Sequence, residues 1–331
     1  MRRIKRLLLL FIFLLLSLAG VAAYLATRPL DLPAQPFAFS LNQGASLKSA
    51  AKQFQQSGLI PNEQAFVLLA RVLGKSTQIK AGNYELEAPV SMLGLLDMLV
   101  KGQVSQGEIG IVEGSTFREF RAAVLSNPGL RHDSANLSES EILQRIGASE
   151  KLAEGLFFPD TYYFATGSSD LVIYRRAYQT MQRHLQEAWQ GRDTDLPLEN
   201  PYQALTLASI VEKETGQARD RDMIAGVFTN RLRKGMRLQT DPSVIYGIGE
   251  KFDGNLRKRD LLKDTPYNTY TRAGLTPTPI ALPGLASLRA ALHPAHTDAL
   301  YFVARGDGSS EFSSTLEKHN RAVDHYQLHR K

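Results

Sequence analysis

The stretch "TLASIVEKETG", Thr206 to Gly216, has apolar residues at the spacing of one helix face. Pro201, five residues upstream of Thr206, suits the first turn of a helix, and Gly216 suits its end. Positions i, i+3, i+4 and i+7 share one face of an α-helix. In this stretch they are Leu207, Ile210, Val211 and Glu214. The pattern predicts a short helix whose core-facing stripe ends in a carboxylate.

Two carboxylates lie close together in this stretch, Glu212 and Glu214. Residues two apart on a helix project about 200° from one another, so these glutamates cannot act as a catalytic pair. Glu212 aligns with a smaller and more polar face formed by Ala208, Ser209 and Thr215. Glu214 ends the apolar stripe, where partial loss of water raises the pKa of a carboxyl. A general acid that works near neutral pH requires such a pKa.

An ion pair is the alternative interpretation of Glu214. The segment that follows supplies Arg219, Arg221 and Arg231 as candidate partners. Periodicity alone leaves both interpretations open.

At the N-terminus, Leu7 to Ala26 form a run of residues without charge or proline. Twenty residues in a helix span about 30 Å, the thickness of the hydrocarbon core of a bilayer. Basic residues precede this run and predict that the N-terminal end stays in the cytoplasm. A cleaved signal peptide is the alternative, with a candidate cleavage site at Val21–Ala23. Either interpretation predicts that the remaining chain is exported.

The composition of the 331 residues is that of a folded globular protein, with 43% hydrophobic and 22% charged residues. The net charge is +6, of which Arg2, Arg3, Lys5 and Arg6 contribute four, so +2 remains for the rest (6 − 4). This balance argues against a nucleic-acid partner. The absence of cysteine excludes disulfides, thiol catalysis and a lipoprotein anchor.

We predict an α+β protein with five segments along the chain. These are a cytoplasmic basic tail (1–6), a transmembrane helix (7–26), a proline-rich linker (27–36), a small α+β module (37–107) and a larger mixed α/β catalytic domain (108–331). The small module lacks a cluster of chemically competent side chains, which indicates a binding or spacer role.

Two segments in the larger domain combine amides, hydroxyls, tyrosines and prolines: Phe228–Gly249 and Thr265–Pro294. Rigid loops with this polar and aromatic lining suit a sugar chain. The stretch "EGLFFPDTYYF", Glu154–Phe164, could stack on sugar rings or form core. Asp160, Asp241 and Asp264 are candidates for a second carboxylate, although Asp241 precedes a proline, where aspartate usually caps a turn.

The histidines do not predict a metal site. His293 and His296 are three residues apart, but Pro294 lies between them and no third ligand is near in sequence. His319, His325 and His329 have mixed spacing on a predicted C-terminal helix, which indicates a solvated face. We expect no metal and no cofactor.

Four blocks of the sequence, "LASIVEKET", "NRLRKGMRLQTDPSVIYG", "YNTYTRAGLTPTPIALPG" and "ALHPA", resemble the signature blocks of the endolytic murein transglycosylases, the MltG/YceG family. The resemblance covers nearly the whole chain. It implies that Glu214 is the catalytic acid and base, and that the module at 37–107 is LysM-like. It also implies a single-pass inner-membrane protein with a periplasmic or extracytoplasmic catalytic domain, which cleaves nascent glycan strands.

The hypothesis is therefore cleavage of the β-1,4 bond between N-acetylmuramic acid and N-acetylglucosamine, leaving a 1,6-anhydro end. Gln239, Asp241, Asn268 and Tyr270 are candidate sugar contacts from the matching blocks. Expected partners are peptidoglycan strands and the inner membrane, with peptidoglycan synthases as further candidates. The alternatives are a muramidase, which would use water, and a wall-binding scaffold without activity.

Overall fold

The computed structural model describes residues 2–328 of the chain. Residue 1, in the predicted basic tail, and residues 329–331, with the candidate surface histidine His329, lie outside the described residues. The chain divides into one compact unit of residues 1–107 and 163–168 and another of residues 108–162 and 169–331. The predicted α+β class with an N-terminal apolar helix is confirmed.

The first helix, α1, spans Arg2–Thr27 and includes the whole predicted transmembrane segment. Its part from Ile4 to Thr27 is long and apolar enough to cross a membrane. From Leu7 to Ala23 every side chain is exposed, as expected for a helix whose apolar surface is not covered by protein.

The predicted linker (27–36) contacts the module near its own beginning, at Pro29 and Leu30, although its prolines suggest an extended segment. Pro29 forms an isolated bridge with Ser91, and the N–H of Leu30 donates to the carbonyl of Val90 at 2.9 Å. The Leu30 side chain is only 4% exposed. Burial of this leucine draws the chain into the module three residues after α1 ends.

The module after α1 consists of short helices and an antiparallel strand pair. Its elements are β1 (Phe37–Leu41), α2 (Leu47–Gln56), α3 (Glu63–Val72), β2 (Gly82–Leu86) and α4 (Met92–Lys101). The next strand, β3 (Gln106–Gly110), includes the boundary between the two units. In the β1–β2 pair Phe39 lies opposite Tyr84, and their rings stack at 5.3 Å. Phe54 and Phe66 extend this buried aromatic core. Ser91 caps α4, and its hydroxyl oxygen accepts the N–H of Gly94 at 3.0 Å.

The remaining elements are α5 (Phe117–Ser126), β4 (Leu130–Arg131), α6 (Glu139–Ile146), β5 (Thr161–Ala165), β6 (Ser168–Ser169), α7 (Leu171–Gln190), α8 (Pro201–Glu214), α9 (Ala218–Arg233), α10 (Asp241–Ile248), α11 (Lys258–Leu262), α12 (Leu285–Leu292), β7 (Tyr301–Ala304), β8 (Ser310–Ser313) and α13 (Leu316–Val323). The other strand pairs are β3–β5, β4–β6 and β7–β8. A 3₁₀ turn follows α10 at Gly249–Lys251, and a π-helical segment follows α13 at Asp324–Leu328.

Helix α8 is the central element of the larger unit. Asn200 caps it, Pro201 begins it, and every residue from Ala204 to Val211 is buried. It packs against α7, α9, α10 and α12. Close packing on all sides is possible because Ala204, Ala208 and Ser209 are small. The smaller and more polar face that the sequence predicts is therefore buried as well, at Ala208 and Ser209.

The aromatic stretch Glu154–Phe164 contributes to the core. Phe157 is fully buried among Phe117, Phe120 and Tyr174, with ring centroids 5.2 to 5.9 Å apart. Tyr163 is the exposed exception among its aromatic residues, and Asp160 and Thr161 are exposed too. The core interpretation therefore holds for the buried aromatic residues of this stretch.

Candidate active site

Glu214 is the last residue of α8, and its side chain faces α10. The hydroxyl of Thr240 donates a 2.8 Å hydrogen bond to Oε2 of Glu214. Thr240 is the N-cap residue of α10, so the contact joins the end of one helix to the beginning of another. Glu214 ends its helix two residues before Gly216, because Thr215 already adopts an extended conformation.

Burial raises the pKa of Glu214 above its ordinary value. The Thr240 hydrogen bond and the charge of Arg231 lower this pKa, whereas the negative charge of Asp241 raises it further. The carbonyl end of α8 carries partial negative charge, which also disfavours an anion there. These effects favour the protonated acid that the apolar stripe predicts.

The arginine alternative does not describe this site. Within residues 2–328 Glu214 forms no ion pair, and Arg231 directs its guanidinium to backbone oxygens instead. Its Nε donates to the carbonyl of Leu300 at 2.7 Å and its Nη1 to the carbonyl of Leu238 at 2.6 Å. Arg231 therefore supports the surrounding loops, and a neutral hydroxyl is the direct partner of Glu214.

Thr240 is held by the second polar segment. Its N–H donates to Oγ1 of Thr269 at 3.0 Å, and the N–H of Gln239 donates to the carbonyl of Thr269 at 3.1 Å. The hydroxyls of Ser243 and Thr269 lie 2.8 Å apart. Thr240, Ser243 and Thr269 are all buried. The two polar segments predicted from sequence therefore meet at Glu214.

Asp241 and Tyr270 form a pair beside this contact. The hydroxyl of Tyr270 donates to Oδ1 of Asp241 at 2.5 Å. Burial, followed by this hydrogen bond to a carboxylate, raises the pKa of Tyr270, so the phenol stays protonated. Asp241 is exposed and Tyr270 half-buried, which leaves both accessible to a ligand.

Gln239 combines an exposed side chain with a left-handed backbone at φ 51°. It is the only residue other than glycine with positive φ in the described part of the chain. Such a conformation is unfavourable for a residue with a side chain and persists where the surroundings enforce it, often at functional sites. The hydrogen bond from its N–H to Thr269 is part of that enforcement.

Asn268 occupies a different position from the other candidate sugar contacts. It is fully buried, and its Nδ2 donates to the carbonyls of Asp260, Leu261 and Lys263. Its Oδ1 accepts the N–H of Tyr270 at 2.8 Å. With the amide engaged in these bonds, a direct contact with a sugar does not fit this position. Asn268 instead orders the loop that presents Tyr270.

Glu212 lies on the other face of α8, as the helical spacing predicts. Its Oε2 accepts the N–H of Gly284 at 2.9 Å, and Ser209 on the same face accepts the N–H of Ile280. Glu113 is a close neighbour of Gly284, and burial together with the charge of Glu212 raises the pKa of Glu113. Glu212 therefore holds the loop before α12 to α8.

Sequence reasoning missed Thr240 and Thr269, which connect the acid to its surroundings. The only local sequence pattern that points to Thr240 is the one expected at the start of a helix. Thr240 directly precedes Asp241–Pro242, an arrangement typical of the start of a helix, where threonine is a frequent cap. Its hydroxyl makes no cap hydrogen bond and is free to donate to Glu214.

Two of the candidate histidines, His293 and His319, contact neighbouring side chains. Nδ1 of His293 lies 2.8 Å from a carboxylate oxygen of Asp193, and the ring of His319 stacks on Tyr301 at 5.2 Å. Across residues 2–328 no group of three or more histidine, aspartate or glutamate side chains is arranged to hold a metal ion.

Comparison with known proteins connects this geometry to a family. Residues 39–325 match the model of the YceG-like family. A Bacillus subtilis protein named endolytic murein transglycosylase is 32% identical over 304 residues, which cover 87% of this chain and 84% of that protein. A Streptococcus pneumoniae protein of the same name is 28% identical over 93% of this chain, which spans 62% of its length.

A solved structure agrees with the family match. The 2.6 Å crystal structure of a yceG-like protein from Listeria monocytogenes is similar with a TM-score of 0.52 and 28% sequence identity. The similarity covers 87% of this chain and 99% of that one.

Proposed function

Because the chain belongs to the YceG-like family, we propose that it is an endolytic peptidoglycan lytic transglycosylase with Glu214 as its acid and base. The relatives named endolytic murein transglycosylase support the activity. The role of Glu214 rests on one observation. A partly buried carboxyl with a raised pKa has a neutral hydroxyl, rather than a cation, as its hydrogen-bond partner.

In the first step the protonated Glu214 donates its proton to the glycosidic oxygen between N-acetylmuramic acid and N-acetylglucosamine. The bond from C1 of the muramoyl residue to this oxygen breaks, and positive charge develops at C1. The carboxylate that results stays close to this charge in a site from which water is partly excluded. A carboxyl with a raised pKa suits this step, because it keeps its proton near neutral pH.

In the second step the Glu214 carboxylate accepts the proton of the muramoyl C6 hydroxyl. The C6 oxygen attacks C1 and closes the 1,6-anhydro ring, so no water is consumed. Glu214 ends the cycle protonated, as it began. One carboxyl serves both steps in turn, whereas most glycoside hydrolases need two carboxylates to hydrolyse the bond.

Three residues around Glu214 are proposed to contact the sugar chain: Gln239, Asp241 and Tyr270. All three have accessible side chains on segments that are tied to Thr269 or Asn268. Rigid support of this kind favours orientation of a bound ligand. For Asn268 we propose a positioning role, because its amide is buried and bound to the backbone.

For α1 we propose a retained anchor in the inner membrane, with the N-terminus in the cytoplasm and the catalytic residues outside it. The length and apolar surface of α1 support the anchor, and the basic residues before Leu7 support the orientation. The module at 37–107 is proposed to be LysM-like, the domain at 108–331 catalytic, and peptidoglycan synthases candidate partners.

The deciding experiment is digestion of defined, uncrosslinked peptidoglycan strands by the purified full-length protein, followed by mass spectrometry. We expect internal cleavage and new ends that carry 1,6-anhydro-muramic acid. Ends heavier by one water molecule would show a muramidase instead. Strands that bind the protein but are never shortened would favour the scaffold. The Glu214→Gln variant serves as the inactive control for contaminating hydrolases.

A further inference from the structure

A cavity of about 850 Å³ lies beside α10 in the larger unit. Pro242, Ile245, Tyr246 and Gly249 line it. Their spacing of i, i+3, i+4 and i+7 places them on one face of the helix and its end. The buried residues of α10 are Ser243 and Val244, which lie off that face. Helix α10 is therefore packed on one side and borders open space on the other.

On the cavity side, α10 is tied to the protein through Tyr246. The Tyr246 hydroxyl donates to Oε2 of Glu154 at 3.1 Å. The Tyr246 ring packs edge-on against Tyr267, with ring centroids 5.0 Å apart. Tyr267 directly precedes the loop residues Asn268 to Tyr270, so both segments around Glu214 meet at this side chain.

Glu154 is itself fixed to the core. Its side chain is only 7% exposed, and Oε1 accepts the N–H of Phe117 at 2.9 Å. Phe117 begins α5, and its ring stacks on Phe157 at 5.2 Å. A free N–H in the first turn of a helix requires an acceptor, and Glu154 supplies it. Burial raises the pKa of Glu154 to about 7, so the mechanism proposed above leaves a second buried acid unused.

We propose that Glu154 is a positioning residue, which holds α10 through Tyr246 and thereby fixes Thr240 against Glu214. The path runs from Phe117 in the core, through the Glu154 carboxyl and the Tyr246 hydroxyl, along α10 to Thr240. Tyr246 and Thr240 are six residues apart, about 9 Å along a helix. A helix transmits a shift at one end to the other, and a misplacement of about 1 Å near reacting groups can lower a rate 100-fold.

This proposal rests on the proposed function, and its main test is Tyr246→Phe in the full-length protein. The substitution keeps the ring that contacts Tyr267 and removes only the hydroxyl. We expect kcat for release of anhydro ends to fall about tenfold, with KM within about twofold. The matched control is Tyr178→Phe, since Tyr178 donates to Glu150 at 2.9 Å in the same unit but lies on α7. It should leave kcat unchanged.

Two variants of Glu154 distinguish the effect of its hydrogen bonds on kcat from the effect of its ionisable carboxyl. Glu154→Gln can still accept from Phe117 and donate to Tyr246, so we expect kcat within about threefold of wild type. Glu154→Ala breaks both bonds and should match or exceed the loss in Tyr246→Phe. The double variant Glu154→Ala/Tyr246→Phe should be no slower than the slower single variant, because both substitutions remove the same hydrogen bond between Tyr246 and Glu154.

A second readout does not depend on activity. The side-chain carboxyl carbon of Glu214, assigned by its absence in Glu214→Gln, reports the pKa of Glu214 by NMR. Tyr246→Phe should raise this pKa, because the Thr240 hydrogen bond that lowers it is weakened. Asp241 and Arg231, the charged groups that act on Glu214, are unchanged in both tyrosine variants.

Equal kcat and equal Glu214 pKa in Tyr246→Phe and Tyr178→Phe would overturn the proposal. So would rate losses that multiply in the double variant. A wild-type protein that releases no anhydro ends would instead overturn the proposed function, and the Glu214 pKa would still decide whether Glu154 positions α10.

Discussion

The hydroxyl of Thr240 donates to the carboxyl of Glu214 across 2.8 Å, joining the cap of α10 to the last residue of α8. A cation in place of this hydroxyl would stabilise the carboxylate and keep Glu214 ionised. A neutral donor orients the side chain while its surroundings still favour the proton. The same carboxyl can therefore donate a proton and afterwards accept one.

Replacement of the two glutamates of α8 should have very different effects. Glu214→Gln keeps the size and hydrogen bonding of the side chain but removes its proton, so the rate should fall about 10²–10⁴-fold. Glu212→Gln alters the contact with Gly284 and removes a charge near Glu113, both on the other face of α8, and should retain most of the activity. Product formation from purified strands measures both, with circular dichroism to confirm folding. Near-normal turnover by folded Glu214→Gln would exclude this residue as the acid.

Thr240→Val should shift the pH dependence of the reaction. In the wild type the rate should decline as pH rises through the pKa of Glu214, because the acid then loses its proton. Since the Thr240 hydrogen bond lowers that pKa, its removal should move the decline to higher pH and reduce the maximal rate about tenfold. Thr240→Ser keeps the hydroxyl and should behave like wild type. A decline at the same pH in the valine variant would contradict the assignment.

Tyr270→Phe should weaken substrate binding more than it slows the chemical step. It removes the hydroxyl that donates to Asp241 at the accessible edge of the site. We expect KM to rise about three- to tenfold with a smaller change in kcat, as measured by initial rates on strands of one length. A loss confined to kcat would instead indicate that Tyr270 takes part in the transition state.

Glu154 should make the stability of the protein depend on pH. Its pKa is about 7 in the folded protein and about 4.5 when unfolded, so the folded state holds the proton more tightly. The stabilisation of the folded state by this proton is fully present below about pH 4.5 and is lost as pH rises through about 7. The difference of about 2.5 between the two pKa values corresponds to about 3 kcal/mol of unfolding free energy.

Glu154→Gln cannot titrate and serves as the reference. Its free energy of unfolding, from denaturant curves at pH 4.5 and pH 8, should decline less between these pH values than that of the wild type. Parallel curves for the two proteins would show that Glu154 has no raised pKa.

The α1 helix should keep the mature protein in membranes during a carbonate wash. With a run of apolar side chains exposed, removal from lipid is unfavourable. Immunoblotting of pellet and supernatant should show full-length protein in the pellet. A soluble form that begins near Tyr24 would favour the cleaved signal peptide.

Local patterns in the sequence were enough to orient Glu214. The positions Leu207, Ile210, Val211 and Glu214 lie within two helical turns, so their shared face follows from helix geometry. Thr240 is 26 residues further along the chain, and its approach to Glu214 depends on how α8 and α10 pack. No spacing rule reaches across such a tertiary contact.

Asn268 and Leu30 show a second limit. An amide can bind the hydroxyls of a sugar or the carbonyls of its own loop, and only the burial of Asn268 shows which one occurs. Leu30 lies among prolines that suggest a free extended segment, yet the module provides a buried position for its side chain. In both cases the surroundings, formed by residues distant in sequence, determine the outcome.

Burial of α8 from Ala204 to Val211 also affects how the site would fail on heating. Backbone amides within a central helix exchange with solvent mainly when the whole unit opens, whereas loops open at far lower free energy. Glu214 is the last residue of this buried helix, whereas Thr240, Asp241 and Tyr270 lie outside it, at the start of α10 and in the loop after α11. Partial opening of the segments that carry these three residues would therefore misalign them before Glu214 itself moved. On heating, activity should be lost at a lower temperature than the one at which the larger unit unfolds.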